Sequence, residues 1–151
     1  MEEPSPTASA IISFAQKLEN DSTIFYKELI EMHVQDRETF STFAEEGKRN
    51  KVLVTRTYQE TISDAIEACF SFRGLDLNDY MTELTLTRNM SYPNALKKAI
   101  ELEDKAVKFY LDVAERSDSL LATIPRAFRK VAERRGNRKL KLKSLLDKLK
   151  H

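Results

Sequence analysis

Two acids in this chain sit where acids are rare, on the apolar stripe of a helix, and each has a tyrosine seven residues further on: Glu19 with Tyr26, and Glu103 with Tyr110. A carboxylate held inside a bundle is too costly to leave bare, so it binds a metal ion, accepts hydrogen bonds or pairs with a buried cation. A tyrosine two turns along the same face can offer its hydroxyl to such an acid. Candidate cations are Arg135 and Arg138, at helical spacing from Phe128, Val131, Leu142 and Leu145. Each residue has a plainer reading beside this one. The acids would be solvated surface charges, the tyrosines ordinary core aromatics, and the arginines buried stems with their heads in water.

The elements that must position these residues repeat. Leu18-Glu19 with Phe25-Tyr26 matches Leu102-Glu103 with Phe109-Tyr110, and each segment is followed by a second aromatic-rich one, Phe43-Ala44-Glu45 or Val131-Ala132-Glu133. The chain therefore reads as a duplicated helical hairpin. Its 151 residues suit one domain, and three Gly, four Pro and abundant Glu, Lys, Leu and Ala favour an all-α fold. A first helix is expected from Ala8 to about His33. A second runs from Asp36, as N-cap, to a stop at Gly74. Residues 74–91 form a crossover containing a short helix. A third helix spans the region from Ser91 or Pro93 to Ser117, and a fourth holds Ile124 to Leu149 with Pro125 near its start. Short first and third connections with a long middle one describe a ferritin-like four-helix bundle over residues 8–150, preceded by a disordered tail, residues 1–7. No apolar run is long enough for a membrane span and the amino terminus lacks a signal pattern, so a cytoplasmic location is expected. Cys69 reads as a core thiol. His33 and His151 read as solvated.

On Glu19 with Tyr26, Ala44-Glu45, Glu103 with Phe109-Tyr110, and Ala132-Glu133, nearly the whole chain resembles the rubrerythrin branch of the ferritin-like superfamily. The resemblance implies a two-iron centre to which the first and third helices each give one Glu, and the second and fourth each give a Glu-x-x-His pair. Carried over, Glu19 and Glu103 remain, with Tyr26 and Tyr110 behind them. The other four positions fall on Gly47, Asn50, Arg135 and Arg138, so both histidines and two of the four carboxylates are gone. Four carboxylates and two imidazoles balance two divalent ions. Here two acids face two arginines, and the expectation is that each guanidinium stands in for a metal and pairs with one buried carboxylate. Gly47 is expected to leave room for an opposing arginine, and Asn50 to be a neutral partner or a tolerated polar residue. On this reading the chain has no catalytic residue, no cofactor and no diiron chemistry.

Two other classes of function stay open. Residues 126–151 carry eleven Lys or Arg against Glu133 and Asp147, and Arg126, Arg129, Lys130, Arg134, Lys141 and Lys148 would form an outer ridge for nucleic acid or an acidic partner. No aromatics interleave that ridge, and acids on neighbouring helices would partly neutralise it. Alternatively, a shifted metal site would use Glu45, Glu46 or Glu133 with Glu19 and Glu103, although Glu46 is turned about 100° from position 47. A homodimer through Phe70, Phe72, Leu75, Leu77, Tyr80 and Met81 is expected from the apolar character of the crossover.

Overall fold

The computed structural model describes residues 5–63, 71–117 and 123–149; Cys69, Phe70 and His151 lie outside them. Among the described residues there are four long helices and no strand: α1 (Ala8–Met32), α2 (Arg37–Thr61), α3 (Tyr92–Arg116) and α4 (Thr123–Lys148). No helix among these residues is long and apolar enough to cross a membrane.

Local chemistry explains most of the boundaries. Thr7 accepts the Ala10 amide and opens α1, and the Pro6 carbonyl accepts the Phe72 amide at 2.9 Å, so the expected disordered tail is already engaged at its last two residues. Ser91 caps α3 through the Asn94 amide, with Pro93 in the first turn where its missing donor does no harm. Asp36 precedes α2 as expected, yet it sits at a left-handed φ of 58° and makes no side-chain cap. Its carboxylate instead accepts the Tyr92 hydroxyl at 2.6 Å, tying the α1–α2 turn to the start of α3. The expected run of the second helix to Gly74 is corrected: α2 ends at Thr61, and Ile62 is extended. Ile62 is β-branched and would lose side-chain freedom in a helix, and its amide closes the last turn on the Tyr58 carbonyl.

Apolar residues at three- and four-residue spacing bring the four helices together. Ile11, Ala15, Phe25 and Leu29 of α1, Phe40 and Val54 of α2, Leu96, Ala99 and Phe109 of α3, and Phe128, Val131 and Leu142 of α4 are buried in one core. α1 packs mainly on α2, and α3 on α4, as two antiparallel hairpins; α2 also meets α4. α1 and α3 touch less, and the crossover lies along that side. There it carries a short 3₁₀ turn, Leu77–Tyr80, whose Tyr80 hydroxyl donates to Asp112 at 2.7 Å. Lys105 donates to the Met81 carbonyl. His33, expected in solvent, is half-buried: its Nε2–H donates to the Met90 carbonyl at 3.0 Å and its ring tilts against Tyr92.

The apolar surface proposed for a dimer is largely used inside the chain. Phe72, Leu75 and Tyr80 are buried and Leu77 is half-buried, which leaves Met81 exposed among the described members of that set.

Candidate functional site

At mid-height of the bundle the two acids of the repeat face each other from α1 and α3. Both are buried. Because the two helices run antiparallel, the tyrosines cross. Tyr26 of α1 donates to Glu103 Oε2 at 2.5 Å, and Tyr110 of α3 donates to Glu19 Oε2 at 2.8 Å. Burial first, and then the neighbouring carboxylates Glu103 and Glu19, push both phenols well above their ordinary pKa, so both remain neutral donors.

Arg135 of α4 enters between the acids. Its Nε and Nη2 donate to Glu103 Oε1 and Oε2 at 2.8 and 3.1 Å, a two-point fork, while Nη1 donates to Glu19 Oε2 at 2.5 Å. Nη2 also donates to Ser22 Oγ, whose own proton goes to the Leu18 carbonyl. The guanidinium is 0 % exposed, which excludes a head reaching into water. Burial alone would lower the pKa of Arg135, but Glu103 and Glu19 outweigh it and hold the group above its ordinary value. The expected one-to-one pairing is therefore corrected: one guanidinium spans both carboxylates.

Arg138, one turn along and 2 % exposed, takes a different set of partners. Nε donates to Glu46 Oε1 at 2.8 Å and Nη2 to the Phe43 carbonyl at 3.1 Å. Nη1 lies 3.7 Å from Glu103 Oε2, beyond hydrogen-bond reach, and has no such partner among the described residues. The guanidinium carbon also sits 5.4 Å from the centre of the Phe43 ring and 5.9 Å from that of Tyr26. Glu46, whose side chain is 25 % exposed, thus enters from the rim although its backbone position faces away from that of Gly47.

The second helix contributes neutral groups. Asn50 is buried and paired at both polar atoms: its amide nitrogen donates to Glu19 Oε1 at 3.0 Å and its carbonyl accepts from Arg134 Nη1 at 3.0 Å. Arg134, expected on the outer ridge, is half-buried in this contact. Gly47 is buried for a reason other than the one expected. A Cβ there would lie 2.6 Å from Thr23 Oγ1, so the glycine admits α1 rather than an arginine. Counting the fully buried groups, Glu19 and Glu103 against Arg135 and Arg138, the centre is electrically neutral.

Comparison with protein families, curated proteins and solved structures found no match to this chain. A two-iron centre does not fit this geometry. Oxygens of Glu19 and Glu103 already accept from Arg135, both tyrosines and Asn50. The positions to which the resemblance assigns further ligands hold Gly47, Asn50, Arg135 and Arg138, none of which offers a carboxylate or an imidazole, and a divalent ion would sit against a guanidinium. Among the described residues no three His, Cys, Asp or Glu are grouped to hold a metal ion. The shifted site fares no better: Glu45 and Glu133 are exposed and Glu46 is committed to Arg138. The basic ridge loses Arg134, which is bonded to Asn50, while Arg126, Lys130, Lys141 and Lys148 stay exposed.

Ser22 belongs to the network without having been identified from sequence, and Glu46 and Arg134 join it in place of the metal-ligand and outer-ridge roles expected of them. Ser22 carried a usable signal, since it lies three residues after Glu19 and four before Tyr26 on one stripe.

Proposed function

We propose that this chain is a ferritin-like bundle of rubrerythrin type in which guanidinium groups balance the two remaining acids in place of two metal ions, and that it acts without diiron catalysis, as a structural or binding module. The observation that supports this most is Arg135, bridging the two acids that the resemblance would assign to iron. A fixed side-chain cation neutralises the carboxylates permanently, whereas an exchangeable ion does so only when bound. The crossed tyrosines then serve as hydrogen-bond donors that complete the shell around each acid.

The test is elemental analysis and a visible spectrum of the full chain purified without chelator from iron-replete cells. Substoichiometric metal that added Fe(II) does not raise is the expected result. Stoichiometric iron, manganese or zinc that is lost in a Glu19→Ala, Glu103→Ala variant would overturn the reading.

A further inference from the structure

An open groove of about 840 Å³ runs along the outer side of the α1–α2 hairpin. One wall is a stripe of α2 carrying Lys48, Lys51 and Arg56; the other, on α1, carries the amides and hydroxyl of Gln16, Asn20 and Thr23. No carboxylate lines it. Lys48 makes an exposed contact with Glu45 at 3.2 Å, and no ion pair engages Lys51 or Arg56 among the described residues. Two apolar side chains project into the same groove, Ile24 at 55 % exposed and Val52 at 53 %. Gly47 forms part of the floor, where α2 comes close to Thr23.

We infer that this groove docks an acidic amphipathic helix of a partner protein, with carboxylates facing Lys48, Lys51 and Arg56 and small apolar side chains resting on Ile24 and Val52. The charge pattern selects this occupant. Lys48 and Arg56 are eight residues apart, about 12 Å along the axis, and Lys51 lies between them. They are spaced three and then five residues, about 4.5 and 7.5 Å along the axis, with Lys51 on the α1 side of the stripe and Arg56 on its far side, so acids on both flanks of a second helix can face them. The trough is open along its length, so it would leave much of a drug-sized ligand in water, whereas a helix needs only one face covered. A nucleic acid would meet the charges but find no aromatic surface on which to stack a base.

The experiment uses a fluorescein-labelled synthetic helix with an Ala/Leu stripe flanked by Glu at three- and four-residue spacing, titrated with the full chain and followed by anisotropy. The proposal expects saturable, salt-sensitive binding that the double variant K48E/K51E weakens by about tenfold or more, equivalent to about 1.4 kcal/mol. It also expects I24S/V52S to weaken binding, and the K48E/K51E protein to bind a matched peptide in which Lys replaces Glu. Lys48, Ile24 and Val52 are exposed and Lys51 is half-buried, and matching thermal melts confirm that the variants remain folded. Equal binding of a scrambled peptide of the same composition, indifference to charge reversal, or displacement of the peptide by a generic RNA oligonucleotide that needs the same lysines and ignores I24S/V52S would each overturn it.

Discussion

The α1–α3 half of the polar core and the α2–α4 half are built on different rules. Between α1 and α3 the arrangement is two-fold: each helix gives one Glu and one Tyr, and each hydroxyl reaches the acid of the other helix. Between α2 and α4 the symmetry is broken. α4 supplies both fully buried cations, while α2 supplies Asn50, Gly47 and, from the rim, Glu46. The difference teaches that a neutral interior requires a balance of charge but not an equal contribution from each helix. The symmetric half holds the anions in place, and one helix of the other half brings all the compensation.

The largest effects should come from cutting the link between the halves. Glu103→Ala and Arg135→Met each strand buried charge and are expected to cost about 3–5 kcal/mol in urea unfolding, against about 0.5 kcal/mol or less for the exposed Glu28→Ala. Near-equal midpoints for Glu103→Ala and Glu28→Ala would show that the acids are not part of a closed network. In Arg135→Ala, added methylguanidinium should restore part of the lost melting temperature through binding to the vacated carboxylates, and leave the parent protein unchanged.

Next come the tyrosines. Tyr26→Phe and Tyr110→Phe each remove a hydrogen bond to a charged acceptor, worth about 1.5–3 kcal/mol, and the two losses should be nearly equal if the α1–α3 half is symmetric. Their pH dependence has a definite sign. Both phenols are raised in the folded state, so above about pH 10 the unfolded chain holds fewer protons than the native one. Stability from these groups is complete below that pH and falls as pH rises beyond it. Ionisation of Tyr26 and Tyr110 should be detected by ultraviolet absorbance only as the protein unfolds, and the double Phe variant should lose this part of the alkaline instability.

Smaller effects sharpen the contrast within the second half. Glu46→Gln should cost about 1 kcal/mol, because it keeps an acceptor for Arg138 and removes only a charge at the wet rim, whereas a loss as large as that of Glu103→Ala would make Arg138 as closed a site as Arg135. Gly136→Ala, with nothing within 4 Å of its Cβ, should stabilise α4 by up to about 1 kcal/mol. Gly47→Ala should gain nothing until Thr23→Ala is added, since the new methyl meets Thr23 Oγ1.

How far these features were legible in the sequence depended on the reach of the side chain involved. The helices follow apolar spacing, and the α3 start follows Ser91 and Pro93, because backbone conformation is set by near neighbours. The end of α2 was harder: Ile62 continues the apolar period, so the pattern ran past the point where the backbone leaves the helix at that residue. Glu19, Glu103, Arg135 and Arg138 could be identified as interior groups from the stripes that hold them. Their pairing could not, because an arginine spans more than a helical turn and chooses partners by distance in space. Hence Arg135 takes both acids, Arg138 reaches Glu46, and Arg134 turns inward to Asn50. Gly47 was placed correctly as a point of close approach but assigned the wrong neighbour, since spacing alone does not say which helix comes near.

The crossed tyrosines also act as a ratchet stop. Sliding α1 along α3 by a single turn, about 5.4 Å, would carry both hydroxyls away from both acids in the same movement, with no intermediate setting in which either is content. Neither hairpin can therefore loosen alone and leave its sister intact, and melting should proceed as one event, with every probe reporting a shared midpoint.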